Sequence, residues 1–121
     1  MRFMMLMIPA VRGEDWAPTP EAIATMGAFN QELDRAGVLL SLDGLHPPGE
    51  AARVSFAGGR PTVTDGPFAE AKELVGGYWL IQARDRDEAV QWASRCPAAE
   101  GDVIEIRQVY ELDELGPPAS E

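Results

Sequence analysis

Two segments of this 121-residue chain place apolar side chains on both faces of an extended backbone, and they restrict its fold more than any other feature. From Phe3 to Ile8 both alternating sets of side chains are apolar, and Tyr78–Ala83 repeats the pattern except at Gln82. A strand that is apolar on both faces is covered on both sides. The sequence therefore predicts a sheet in which these two strands are buried.

Two helices are expected between the strands. Thr19 and Pro20 are typical of an N-cap followed by the first helical position, and apolar residues then recur at helical spacing until Gly37. Asp85 indicates the start of a second helix, which Pro97 stops. A short helix is also predicted from Pro67 to Leu74.

The remaining segments complete a repeated β-α-β order with an inserted β-hairpin. Right-handed crossovers in two such units give one antiparallel sheet with both helices on one face, the ferredoxin-like arrangement of an α+β protein. The chain is expected to form a single domain, 1–121, with a frayed tail at 113–121. The predicted strands are Arg2–Ile8, Val38–Leu45, Ala52–Ala57, Thr62–Thr64, Tyr78–Ala83 and Val103–Leu112.

The face of the sheet opposite the helices needs a cover of its own. Two helices on one face leave the other bare, and a large exposed apolar patch is rare on a monomer. We therefore expect a homodimer in which the two sheets pack against each other.

Charge and cysteine content exclude several classes of function. Ten basic and twenty acidic residues give a net charge of −10, which disfavours direct binding to nucleic acid or to anionic membranes. The apolar run Phe3–Ala10 is too short to span a membrane. One cysteine, Cys96, allows no internal disulfide, which fits the cytoplasm. One histidine and one cysteine exclude the usual structural zinc site, and we expect no metal and no cofactor.

Two motifs carry a family resemblance. Gly44–Pro47 reads Gly-Leu-His-Pro, and Val63–Glu73 contains the run Asp-Gly-Pro-Phe at Asp65–Phe68. The chain strongly resembles the YCII-related proteins of the DGPF subgroup over nearly its whole length. The resemblance implies a dimeric α+β barrel. It also implies a link to extracytoplasmic-function sigma factors, beside which many members are encoded, and a His–Asp pair in a cleft that has been proposed to be catalytic.

The chain departs from the family pattern at two positions. Ala71 stands where threonine is common, which removes a hydroxyl from the motif. Asp43 stands where glutamate is common, which keeps the charge on a shorter side chain.

His46 and Asp65 are the candidate catalytic residues. An unperturbed imidazole titrates between pH 5 and 8. If the Asp65 carboxylate accepts a hydrogen bond from one nitrogen of the His46 ring, the other nitrogen is left to act as general base or acid. The structural alternative is that Asp65 caps the turn that follows it and that His46 is an exposed loop residue.

Lys72, Glu73 and Phe68 are the candidate substrate-binding residues. Lys72 is the only lysine among ten basic residues, and its acidic neighbours favour a protonated side chain that pairs with a substrate carboxylate. The alternatives are a solvated lysine at a helix end and a phenylalanine in the core.

Two functions of different classes follow. The first is a small-molecule binder or enzyme that uses the His–Asp pair for proton transfer on a small polar or anionic molecule. The second is an accessory protein in transcription control, whose acidic surface contacts a basic partner such as a sigma factor. A concave site containing both His46 and Asp65 favours the first function, and separated, exposed residues favour the second.

Overall fold

A four-stranded antiparallel sheet forms the centre of the computed structural model, which describes residues 1–10, 19–66 and 75–116. In chain order the elements are β1 (Arg2–Ile8), α1 (Pro20–Arg35), β2 (Leu39–Gly44), β3 (Ala52–Ala57), β4 (Arg60–Asp65), β5 (Gly77–Gln82), α2 (Arg86–Ser94) and β6 (Val103–Gln108). The strand order is β2-β5-β1-β6, so the two strands predicted from their apolar faces are the central pair. The protein is α+β, consistent with the ferredoxin-like arrangement.

Both helices begin at the predicted caps. The Thr19 hydroxyl accepts a hydrogen bond from the Ala22 amide at 3.1 Å, and Pro20 occupies the first position of α1. The Asp85 carboxylate accepts from the Glu88 amide at 2.9 Å at the start of α2. Such caps satisfy amides that have no partner within the helix, so they fix where each helix starts.

The core lies between the helices and one face of the sheet. Trp79 contributes both packing and a polar contact, because its ring meets Phe29 edge-on at 5.9 Å and its indole N–H donates to Asn30 Oδ1 at 2.8 Å. The buried side chains of the sheet come from alternate positions of β1 and β5, and both helices cover them. The buried core is Phe3, Met5, Phe29, Leu33, Trp79, Ile81, Ala83 and Ala89.

The other face of the sheet is apolar too. Met4 and Leu6 alternate with the buried residues of β1, and their partners Leu80 and Tyr78 do so on β5. These side chains keep partial exposure, and both described helices pack on the opposite face. This surface, formed by Met4, Leu6, Leu80 and Tyr78, is called the open face below.

Strands β3 and β4, which follow β2 and precede β5 in the chain, form a separate two-stranded sheet. Gly58 and Gly59 join them with φ angles of 60° and 76°, which is typical of the type I′ turn that matches strand twist. All residues of both strands are exposed. The hairpin therefore stands clear of the core.

Strand β6 ends earlier than predicted. It stops at Gln108 instead of Leu112, because its neighbour β1 starts at Arg2 and the last backbone bond runs from the Val109 amide to the Arg2 carbonyl at 2.9 Å. The chain then forms a 3₁₀ turn at Leu112–Leu115. The predicted helix from 67 to 74 and the tail beyond 116 lie outside the described residues.

Candidate functional site

The loop that carries His46 is tied at its start to Gly76, which follows the second family motif, and at its end to Gly66, which lies within that motif. The Leu45 amide donates to the Gly76 carbonyl at 2.9 Å, and the Gly66 amide donates to the Ala51 carbonyl at 2.8 Å. Gly76 is itself anchored, since its amide donates to the Met7 carbonyl at 2.8 Å. Gly66 and Gly76 therefore lie beside opposite ends of this loop.

A close strand contact sets the position of the same loop relative to the sheet. Gly77 is paired with Gly44, and a Cβ atom at Gly77 would lie 2.8 Å from the Asp43 carbonyl oxygen. Only glycine permits two backbones to approach this closely. The end of β2, and with it the start of the His46 loop, is held tightly against β5.

His46 is hydrogen-bonded to Glu50. Its Nδ1 atom lies 2.9 Å from Glu50 Oε2, across the 3₁₀ turn Pro48–Glu50. A carboxylate only accepts hydrogen bonds, so this contact requires a hydrogen on Nδ1. In the neutral ring the other nitrogen, Nε2, is then the basic atom. The His46 side chain is 86% exposed and Glu50 65%, so a molecule from solvent reaches the pair.

Sequence reasoning did not identify Glu50. The available signal was the spacing of four residues from His46, together with the prolines that promote a tight turn between the two. A spacing of four brings side chains together only where the backbone turns helically. That turn, at Pro48–Glu50, makes the contact possible.

Asp65 is the last residue of β4 and is exposed. It pairs with Ala52, two residues after Glu50, and the next bond of the ladder joins Gly66 to Ala51. The backbone register thus places Asp65 at the same end of the hairpin as the His46 loop. Its pairing with His46 stays a prediction. The other candidate residues, Phe68, Lys72 and Glu73, lie outside the described residues.

Tyr78 and Asp43 form a second polar contact beside this loop. The Tyr78 hydroxyl donates to Asp43 Oδ2 at 2.8 Å, across directly paired positions of β5 and β2. The hydrogen bond to Asp43 raises the pKa of Tyr78 above its ordinary value, because losing the proton would place two negative charges side by side. Asp43 therefore holds a residue of the open face.

Two further properties describe the same parts of the chain. Within residues 1–10, 19–66 and 75–116, no three histidine, cysteine or acidic side chains lie close enough to hold a metal ion. None of the helices described there has the length and apolar character needed to cross a membrane.

Comparison with known proteins agrees with the two motifs. The chain matches the YCII-related domain over residues 1–113. It is also similar to an uncharacterised protein of Rhizobium meliloti (strain 1021), with 37% identity over 68 residues. That similarity covers 56% of this chain and 55% of the relative, so the chain spans about half the length of the curated relative it matches. The family match covers nearly the whole chain, and the protein belongs to the YCII-related family.

Proposed function

We propose that this chain is a small-molecule-binding protein of the DGPF subgroup in which His46, oriented by Glu50, exchanges a proton with a small polar or anionic ligand. The observation that carries the proposal is the 2.9 Å contact between His46 Nδ1 and Glu50 Oε2 on an exposed, anchored loop. The subgroup assignment rests on the run Asp-Gly-Pro-Phe at Asp65–Phe68.

The chemistry follows from the pair. Because Glu50 accepts the hydrogen of Nδ1, Nε2 of His46 is free to take a proton from a ligand. The imidazolium that forms pairs with the Glu50 carboxylate across the 2.9 Å contact. The same imidazolium then donates a charge-assisted hydrogen bond to an anionic product or ligand. The pair therefore suits both binding and proton transfer, without a nucleophile or a cofactor.

The family motif supplies the other ligand contacts in this proposal. Asp65 brings a second carboxylate to the His46 end of the hairpin, as the register with Ala52 favours. Lys72 supplies positive charge for an anionic group, Glu73 supplies a hydrogen-bond acceptor, and Phe68 supplies an apolar contact. We assign these roles from the sequence motif and from the backbone bonds that anchor Gly66, within the motif, and Gly76, after it.

The working form that we propose is a cytoplasmic homodimer packed through the open face. Met4, Leu6, Tyr78 and Leu80 keep partial exposure on a face that neither described helix covers. A standard interface buries roughly 800 Å² from each partner. An apolar face bordered by strands β2 and β6 is the natural place for that burial.

Chemical-shift mapping tests the binding site. Succinate added to isotopically labelled wild-type protein at about pH 6, where imidazoles carry substantial charge, should shift amides in 45–51 and at Gly66 and Gly76. His46→Ala should abolish these shifts, whereas Asp113→Asn, a control at the opposite end of the sheet, should keep them. Shifts that are unchanged in His46→Ala would remove His46 from the site.

A second candidate function is favoured by charge and by the exposure of both His46 and Asp65. The chain has twenty acidic against ten basic residues, and such a surface favours a basic protein partner such as a sigma factor. Sedimentation of the chain with a purified extracytoplasmic-function sigma factor tests this candidate. A complex that weakens steeply with added salt supports it, and the absence of a complex at low salt contradicts it.

A further inference from the structure

Strand β6 is an edge strand, and no other described strand pairs with its outer side. It is last in the order β2-β5-β1-β6 and pairs with β1 alone among the described strands. The pairing runs without a register shift over all 6 residues of Val103–Gln108, which contain no proline. The opposite edge, β2, is interrupted by a register shift between Leu39 and Ser41, and such irregularities hinder pairing with a further chain. The regular edge of β6 is therefore the better template for a further strand.

The backbone bonds of the sheet show which groups of β6 point outward. The Val109 amide donates to the Arg2 carbonyl at 2.9 Å, so these two residues form a hydrogen-bonded pair of the β1–β6 ladder. In an antiparallel ladder such pairs recur at every second residue. The backbone groups at odd-numbered positions of β6 therefore face β1. Those at even-numbered positions point away from the sheet, and they belong to Ile104, Ile106 and Gln108.

Two opposite charges lie on one side of this edge. Arg107 pairs with Met4 and Glu105 with Leu6, so both charged side chains are on the side of the open face. Both are exposed, and within residues 1–10, 19–66 and 75–116 neither forms an ion pair. A charge usually protects an edge strand, because a second copy brings the same charge to the same place. Two opposite charges lose this effect where a reversed second strand sets each against the other.

Antiparallel pairing of β6 with β6 of a second copy satisfies both patterns in one register. With Ile106 opposite the partner's Ile106, the outward backbone groups of the two strands form hydrogen-bonded pairs. Glu105 then lies directly opposite the partner's Arg107, at a non-hydrogen-bonded position where side chains approach closely and opposite charges stabilise the pair. A register centred on Glu105 or on Arg107 would instead set like charges against each other, which destabilises a sheet.

We propose that β6 pairs edge to edge with β6 of a second copy and joins the two four-stranded sheets into one continuous sheet. The two-fold axis passes between the two Ile106 residues, so both contacts between Glu105 and Arg107 form at once. The inference goes beyond the proposed function, because it requires neither the His46 loop nor packing through the open face. The edge lies beside the open face, so one chain can use both contacts in a larger assembly.

Charge reversal tests the contact in solution. Arg107→Glu sets carboxylates against each other across the edge, and Glu105→Arg sets guanidinium groups against each other. Each variant alone should therefore raise the dissociation constant of the edge contact about tenfold or more. An equimolar mixture of the two variants should restore wild-type association, because each opposed pair then contains one acid and one base. An effect confined to one chain could not be rescued by mixing.

The matched control for the mixture is a second pair of charge reversals, on α1. Asp34→Arg and Arg35→Glu change the net charge by the same amounts as the two edge variants, at exposed positions of a helix that packs beside β2. Alone or mixed, they should leave the dissociation constant unchanged. This control separates the specific contact from general attraction between more acidic and more basic chains.

Amide hydrogen exchange gives a second readout, on the backbone itself. The outward amides of Ile104, Ile106 and Gln108 should exchange slowly in associated wild-type protein. They should exchange about tenfold faster or more in Arg107→Glu, because they then face solvent. The Glu105 amide bonds to β1 in either state and serves as the internal reference. Outward amides that exchange equally fast in both proteins would contradict the pairing.

Sedimentation equilibrium at micromolar concentration separates this proposal from the homodimer of the proposed function. A wild-type tetramer that Arg107→Glu reduces to a dimer supports both contacts. A wild-type dimer that becomes monomeric in Arg107→Glu supports the edge contact and contradicts packing through the open face. Wild-type association that Arg107→Glu leaves unchanged, or that the mixture does not restore, overturns the edge contact and leaves the open-face dimer standing. A monomeric wild-type chain overturns both.

Discussion

Nδ1 of His46 and Oε2 of Glu50 lie 2.9 Å apart, one 3₁₀ turn from each other, on a loop whose ends are tied to Gly76 and Gly66. Both side chains are mostly exposed, so the pair adds little to stability, about 0–1 kcal/mol at most. Its consequence is chemical, since it selects which ring nitrogen carries hydrogen. The loop therefore presents a histidine with a defined basic atom.

The tautomer of His46 is the first prediction. When the His46 ring of the wild-type protein is neutral, its one N–H hydrogen should reside on Nδ1. Glu50→Ala should shift the ring toward the tautomer with the hydrogen on Nε2. Two-bond proton–nitrogen correlation spectra above the imidazole titration range distinguish the two forms. Asp65→Ala is the matched comparison, because it removes the second carboxylate of the proposed site and leaves Glu50 in place. A wild-type ring that is unprotonated at Nδ1 contradicts the role assigned to Glu50.

Tyr78 should lose its phenolic proton at a higher pH than an ordinary tyrosine because of its hydrogen bond to Asp43. The hydrogen bond to Asp43 raises the pKa of Tyr78 above its ordinary value of 10.0. This contact therefore stabilises the fold below pH 10.0, and the stabilisation is lost as the pH rises through the higher pKa that Tyr78 has in the folded protein. In a Tyr110→Phe background, Asp43→Asn should lower the midpoint of phenolate absorbance. An identical midpoint with and without Asp43→Asn would show that the contact is absent in solution.

The ion pair between Arg2 and Glu111 should make stability depend on acid pH. The hydrogen bond from Arg2 lowers the pKa of Glu111 below its ordinary value of 4.5. This stabilisation is present above pH 4.5 and is lost as pH falls through the lower folded value. Arg2→Gln should therefore lower the urea midpoint near neutral pH and have a smaller effect in acid. Equal effects at both pH values would contradict this linkage.

Cys96 should react slowly with thiol reagents. Burial raises the pKa of the Cys96 thiol from 9.0 to about 11, with a further contribution from Asp102, and its Sγ lies 3.9 Å from Met26 Sδ. At pH 8 the thiolate fraction, and with it the rate of a disulfide-exchange reagent, should be roughly 100-fold below that of an unperturbed cysteine. Unfolding in urea should restore the ordinary rate. A fast reaction in the native state would show that the C-terminal end of α2, next to Cys96, opens readily.

The central strands could be predicted from the sequence because burial on two faces leaves a direct signature in the residues from Phe3 to Ile8 and Tyr78 to Ala83. The helix starts could be predicted because caps are local: Thr19 and Asp85 act on amides three residues away. These features depend on neighbours in the chain or on the core as a whole.

Contacts set by register could not be predicted. Tyr78 meets Asp43 across 35 residues only because β5 and β2 pair at those positions. Strand β6 ends where β1 begins, which no local signal between Gln108 and Leu112 reveals. The role of Glu50 was not predicted because its contact with His46 depends on one short turn, and short turns give only a weak signal in the sequence.

The pH dependence of succinate affinity tests the central claim most directly. Calorimetric titration of wild-type protein and His46→Ala at about pH 5.5 and pH 8 spans the range in which imidazoles titrate. Because a charged donor binds an anion more strongly, wild-type affinity should fall by roughly tenfold as pH rises, and His46→Ala should bind weakly and equally at both pH values. Equal affinity of the two proteins, or a wild-type affinity that is independent of pH, would contradict a ligand site at His46.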